Sequence, residues 1–147
     1  MTPLHFEDLH VGQRFETARR TVTEADIVAF TGLSGDFNPL HTDSVFAAGT
    51  TYGERIAQGV LVLAIATGLR QRLGLFDGTL IGFLEIRNWR FSAPVRIGDT
   101  IRVVNEVSEL RETSKSDRGI VVQRVEVLNQ DDAVVQSGEF VLMVQRR

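Results

Sequence analysis

Gly59-Val60-Leu61-Val62-Leu63-Ala64-Ile65-Ala66-Thr67-Gly68-Leu69-Arg70-Gln71-Arg72-Leu73 is the stretch on which the fold turns. Its first two turns are apolar on every side, the pattern of a helix buried all round rather than one lying on a surface. The β-branched Val60, Val62 and Ile65 lower its intrinsic helix propensity, so it needs a sheet wrapped about it in order to form. At ~1.5 Å per residue it spans roughly 20 Å, a length that a sheet of five to six strands encloses. The residues that follow supply such strands: 80–91, 100–110, 119–129 and 133–144, with Val121, Val125 and Val127 alternating onto one face. The links 111–118 and 129–132 are short enough for hairpins, which makes the pairing antiparallel.

Upstream, Phe6-Glu7-Asp8-Leu9 and Gly12 lead into a first strand expected over 13–22. Thr23-Glu24-Ala25-Asp26 carries the signature of a capping box, with Thr23 as N-cap and Asp26 reaching back. Ile27, Val28 and Phe30 form the apolar stripe of that helix, and Gly32 is its expected end. A short helix over 43–48 is expected to bury Val45 and Phe46, followed by a flexible connection at Gly49–Gly53. Tyr52 in that connection either lines a site or packs at the surface. The whole is an α+β reading: one domain over residues 1–147, an antiparallel sheet curled around one apolar helix, with no internal repeat.

Composition narrows the functional classes. In 147 residues there are 16 Lys and Arg against 19 Asp and Glu, a formal net charge of −3 with the basic residues dispersed, so no nucleic-acid footprint is present. There is no cysteine, which removes disulfides, thiolate metal sites and cysteine nucleophiles. The start, Met1-Thr2-Pro3-Leu4-His5-Phe6-Glu7-Asp8, lacks the basic residues and long apolar run of a secretory signal. The longest apolar run, Val60 to Ala66, falls well short of the ~20 residues that span a bilayer. A soluble, cytoplasmic protein is the expectation.

Just before the helix lies Ser34-Gly35-Asp36-Phe37-Asn38-Pro39-Leu40-His41-Thr42-Asp43, which brings a carboxylate, an amide and an imidazole together around a proline. Pro39 biases Asn38 away from helical dihedrals and suits the first position of a helical turn, so a loop is expected up to Pro39 and a turn after it. Asp36 and His41 aimed at one point can hold a single water, polarise it toward an electron-poor carbon and carry its proton onward. The other reading of the same residues has Asp36 capping a turn and His41 near a helix start at the surface. Gly59 likewise has two readings. The unpaired N–H groups of the helix start can stabilise a developing oxyanion, or the glycine permits close packing.

The run Gly35-Asp36-Phe37-Asn38-Pro39-Leu40-His41, followed by Gln58-Gly59-Val60 and an apolar helix, resembles the MaoC-like dehydratases, the R-specific enoyl-CoA hydratase or hydratase 2 family; Phe91-Ser92-Ala93-Pro94-Val95-Arg96-Ile97-Gly98-Asp99-Thr100 is similar to its second signature. The resemblance runs from about Gln13 to the C-terminus. It implies the hot-dog fold, and Asp36 and His41 as the catalytic pair of a lyase that reversibly hydrates a trans-2-enoyl thioester to an (R)-3-hydroxyacyl thioester. It implies that Asn38 braces the loop, that the Gly59 N–H meets the thioester carbonyl, and that Thr67 stands near the pocket, although back-bonding within the helix also accounts for Thr67. No metal or organic cofactor is implied. The implied partners are an acyl-CoA or acyl-carrier thioester and a second copy of the chain in a homodimer. One departure stands out: many relatives have His before the glycine, where this chain has Gln58, which cannot titrate. Arg70, Arg72, Arg87, Arg90 and Arg96 are the basic residues near the site in sequence; one or two can meet coenzyme A phosphates, and the rest suit solvated surface charge or a helix C-terminus. A hot-dog thioesterase and a non-catalytic acyl-thioester binder are the alternatives on the same fold.

Overall fold

The computed structural model describes residues 2–147. A short 3₁₀ turn at Phe6–Asp8 leads to strands β1 (Arg14–Glu16) and β2 (Arg20–Thr21), then helices α1 (Glu24–Ser34), α2 (Pro39–Thr42), α3 (Ser44–Ala48) and α4 (Gly59–Gln71), then strands β3 (Leu80–Phe91), β4 (Thr100–Glu112), β5 (Arg118–Leu128) and β6 (Val134–Gln145). The six strands form one antiparallel sheet in the order β1-β4-β5-β6-β3, with β2 also on β4. This is the hot-dog arrangement. The sheet's buried Ile101, Val103, Val125, Val127, Val135 and Phe140 pack on Leu61, Val62, Ile65, Ala66 and Leu69 of α4.

Three expectations about burial and breaks need correcting. The first strand is interrupted at Thr17–Arg19, because the buried Thr17 turns its hydroxyl to accept from the Val103 N–H and the chain resumes pairing only at Arg20. Helix α4 is not enclosed on all sides. The sheet covers one side of it, and Val60, Ala64 and Gly68 form an exposed stripe at i, i+4 and i+8 on the other. Val45 is 86% exposed and Phe46 half-exposed, since α3 is one short turn that seats only Ala47 in the core; Val28 of α1 also faces out.

The capping box of α1 forms: the Asp26 N–H donates to Thr23 Oγ1 at 3.3 Å and the Thr23 N–H to Asp26 Oδ2 at 2.9 Å. The helix runs past Gly32 to Ser34 and ends at Gly35, whose φ of 75° is the left-handed geometry that glycine adopts without strain. That extension places Asp36 directly after the helix cap, and the link between α1 and α2 shrinks to 35–38.

Candidate active site

Local hydrogen bonds build the link as the sequence suggests. Asp36 Oδ1 accepts from the Asn38 N–H at 3.2 Å, and Asn38 Oδ1 accepts from the Leu40 N–H at 3.0 Å, capping α2 ahead of Pro39 at its first position. Thr42 Oγ1 donates back to the Phe37 and Asn38 carbonyls. His41 therefore points inward from a single braced turn. Its Nδ1 donates to the Ile56 carbonyl at 2.7 Å, and its Nε2 faces Asp36 Oδ2 across 3.9 Å. A carbonyl can only accept, so Nδ1 carries the proton, and in the neutral ring Nε2 is a bare acceptor. The 3.9 Å separation is too long for a direct hydrogen bond. His41's side chain is 11% exposed and Asp36's 45% exposed.

Ile56, the residue that orients His41, is held by a two-residue clamp: it bridges Arg96, and the Ala57 N–H donates to the Val95 carbonyl at 2.8 Å. The segment that carries the second signature is thus the wall behind the histidine. His41, Gly59, Phe91, Ser92, Pro94 and Gln136 line one cavity of about 400 Å³. Asp36 stands at the side of this cavity facing His41 and is not among its lining residues.

Gly59 is the first residue of α4, and no described group accepts from its N–H. Its carbonyl accepts from Gln136 Nε2 at 3.0 Å, while Gln136 Oε1 accepts from Trp89 Nε1 at 3.1 Å. A Cβ at Gly59 would lie 2.7 Å from two ring carbons of Phe91, so close packing explains the glycine and leaves the amide open beside the ring. Gln58, wholly buried, donates from Nε2 to Thr31 Oγ1 at 2.8 Å and ties the start of α4 to α1. Its amide serves as a tether there.

Thr67 is not brought to this cavity. Its hydroxyl donates to the Ala64 carbonyl at 2.7 Å, and it lines a separate cavity with Arg70. Arg70 also departs from the expected surface role, because it folds into the core to meet Asn105 and Gln123. Arg96 is held by the Tyr52 carbonyl and Glu54, and Arg87 by Glu85. Among the described residues there is no group of three or more His, Cys, Asp or Glu placed to hold a metal ion. Phe91 and Gln136 are contributors that sequence reasoning missed; Phe91 lay within the second signature without a role, and nothing in the pattern of β6 marked Gln136.

An antiparallel sheet packed on an apolar helix, with an Asp-x-Asn-Pro-x-His turn at that helix's start, defines a MaoC-like hot-dog protein. The MaoC like domain matches residues 7–129, and the chain belongs to that family. It is 34% identical over 145 residues to the 3-hydroxybutyryl-CoA dehydratase of Methylorubrum extorquens, covering 98% of this chain and 86% of the relative. It is 34% identical to the (R)-specific enoyl-CoA hydratase of Aeromonas caviae, over 92% of this chain and 96% of that one. The solved structure of a monoamine oxidase regulatory protein from Archaeoglobus fulgius superposes with a TM-score of 0.93 at 39% identity, covering 99% of this chain and 96% of that one. Against protein MaoC of Klebsiella aerogenes, 41% identical over 99 residues, the match spans only 29% of the longer relative.

Proposed function

We propose that this chain hydrates a trans-2-enoyl thioester of coenzyme A reversibly to the (R)-3-hydroxyacyl thioester, with Asp36 and His41 as the acid-base pair. The observation that carries the reading is the pair of acceptors facing each other across 3.9 Å, one a carboxylate oxygen and one an imidazole nitrogen whose proton is committed elsewhere. Two acceptors at that spacing are complementary to one water that donates to both. Its oxygen lone pairs then face away from the pair, free to attack.

The water oxygen bonds to the β-carbon as the pair takes one of its protons. The electrons of the double bond move toward the thioester oxygen, and a proton delivered to the α-carbon completes the addition. The growing charge on the thioester oxygen lies at the start of α4, where the Gly59 N–H has no acceptor among the described residues and the helix dipole is positive. The named relatives, hydratases and dehydratases, are lyases and support this class of reaction.

The same reading includes a homodimer through β3. This strand is the long edge of the sheet, opposite the short β1 and β2, and presents Leu80, Ile81, Phe83, Leu84 and Ile86 to solvent, an apolar edge that a lone chain would leave open to aggregation. Pairing β3 with its symmetry mate covers it and brings a second wall to the cavities along α4.

The test is an enoyl-CoA panel assayed two ways. Loss of enoyl absorbance without thiol release, giving a product oxidised by an (R)-specific and not an (S)-specific 3-hydroxyacyl-CoA dehydrogenase, is the expected result. Thiol release would instead make the protein a thioesterase, and tight binding without either signal would make it a non-catalytic acyl-thioester binder.

A further inference from the structure

A second cavity, about 140 Å³, opens at the far end of α4 between Thr67, Arg70, Leu75, Phe83, Asn105 and Leu142. Its walls are mostly apolar; of the polar residues in them, Thr67 donates to the Ala64 carbonyl and Gln71 to Asp77, which leaves Arg70 and Asn105. Arg70 is largely buried, and its charge faces no carboxylate among the described residues. The guanidinium donates from Nε to Asn105 Oδ1 and from Nη2 to Gln123 Oε1, both neutral amides, and lies 4.5 Å over the ring of Phe140. Burial lowers its pKa to about 10, so it remains a cation at neutral pH while bearing a desolvation cost. Nη1 donates to no described residue, and the Nε2 of Gln123, fully buried, also lacks an acceptor. Arg70 thus has a spare donor, no carboxylate partner among the described residues and a cavity beside it. Those are the properties of a site completed by an anion.

The stripe that carries Arg70 leads back to the proposed reaction centre. Gly59, Leu63, Thr67 and Arg70 recur at i, i+4, i+8 and i+11, along one face of α4. Strand β3 runs beside that face, with Phe91 on Gly59 at one end and Phe83 in the Arg70 cavity at the other. The two positions are about 16 Å apart along the axis, and a long helical side chain leans toward the N-terminus, which shortens the gap. The two cavities share no lining residue, so a long acyl chain with its thioester at Gly59 would reach the guanidinium only by running past Leu63 between them.

On the hydratase reading above, we propose that Arg70 is a specificity-determining residue and that the substrate class is an enoyl thioester whose acyl chain ends in a carboxylate. The carboxylate takes the free Nη1 donors and neutralises the buried charge. A methyl-ended chain of the same length leaves the guanidinium without a counter-charge and dehydrates it further, so it is disfavoured.

The test separates binding from turnover. Saturated acyl-CoAs ending in methyl or in carboxylate, matched over a series of lengths, are titrated calorimetrically into the wild-type protein, Arg70→Met and Arg70→Lys. The corresponding enoyl-CoAs are assayed for hydration. Wild type is expected to bind the carboxylate-ended ligand tighter by about tenfold or more at the best length, Arg70→Met to abolish that ratio, and Arg70→Lys to keep part of it. Hydration kcat/KM ratios follow the same order. Wild type preferring the methyl end at every length, or Arg70→Met weakening both ligands equally, overturns the proposal. If Arg70→Met does not fold, the end-group ratio of wild type and its reduction in Arg70→Lys decide. A binding preference without hydration of either enoyl-CoA would sustain the role of Arg70 and overturn the hydratase reading alone.

Discussion

The Ile56 carbonyl, 2.7 Å from His41 Nδ1, does more to define the chemistry than the identity of the imidazole, because it decides which nitrogen is left to face Asp36. Backbone atoms of this kind leave no mark in a sequence. The Asp-x-Asn-Pro-x-His spacing made Asp36 and His41 legible, yet their orientation depends on a carbonyl fifteen positions away, which is itself fixed by the Val95–Arg96 clamp. Gly59 shows the same limit. Its need for a missing side chain comes from the ring of Phe91, distant in the chain. Gly59→Ala is therefore expected to destabilise the fold by about 1–3 kcal/mol through overpacking, and Phe91→Leu in the same background to recover much of the loss. Denaturant melts of the four proteins in the cycle measure this; additivity of the two changes would show that the contact is not the cause.

At the scale of elements, the end of α1 sets the position of Asp36. Gly35 takes the left-handed turn with open space around it, so a substitution there meets backbone strain rather than a clash. Gly35→Ala is expected to cost about 1–2 kcal/mol and to reduce kcat by displacing Asp36, with Gly35→Asn milder in both. Equal activity of the alanine variant and wild type would separate Asp36 from the helix cap. Local pattern placed the stop at Gly32; helix α1 continues to Gly35, and the buried Thr31, bonded to Gln58 at the start of α4, ties its last turns to the core, a tertiary contact that propensity does not register. The four long strands and their hairpins were legible to within two residues, since turn residues and alternation are local signals. The termini are joined by Arg146 to Glu7 and Arg147 to Asp8; Glu7 is held below its ordinary pKa by its own backbone N–H first and then by Arg146, and Asp8 by the Arg147 guanidinium first and then by the His5 N–H. A depressed carboxylate contributes its stability above its unfolded pKa and loses it as pH falls through the lower folded value. The contacts are thus expected to hold at neutral pH and to loosen only under acid conditions, seen as faster amide exchange at residues 5–9 before global unfolding. Protection unchanged down to global acid unfolding would count against the pairing.

For the whole molecule, burial patterns in the single chain point beyond it. Helix α4 reads as apolar all round in sequence but keeps an open stripe, and β3 keeps an apolar edge, the surfaces that the proposed homodimer would cover. A charge placed in that edge, Phe83→Glu or Leu84→Lys, is expected to shift the protein from dimer to monomer in analytical ultracentrifugation at micromolar concentration; a wild type that sediments as a monomer would contradict the β3 interface. The proposed hydration depends on a water shared by Asp36 and His41, and the most direct measurement is the hydration of crotonyl-CoA by Asp36→Asn. The asparagine keeps the oxygen that accepts from the Asn38 N–H and sits on an exposed link, so the fold is expected to survive. With product-CoA affinity and melting temperature near those of wild type, kcat is predicted to fall by about 10³-fold; an Asp36→Asn protein that hydrates within a few-fold of wild type would contradict the account.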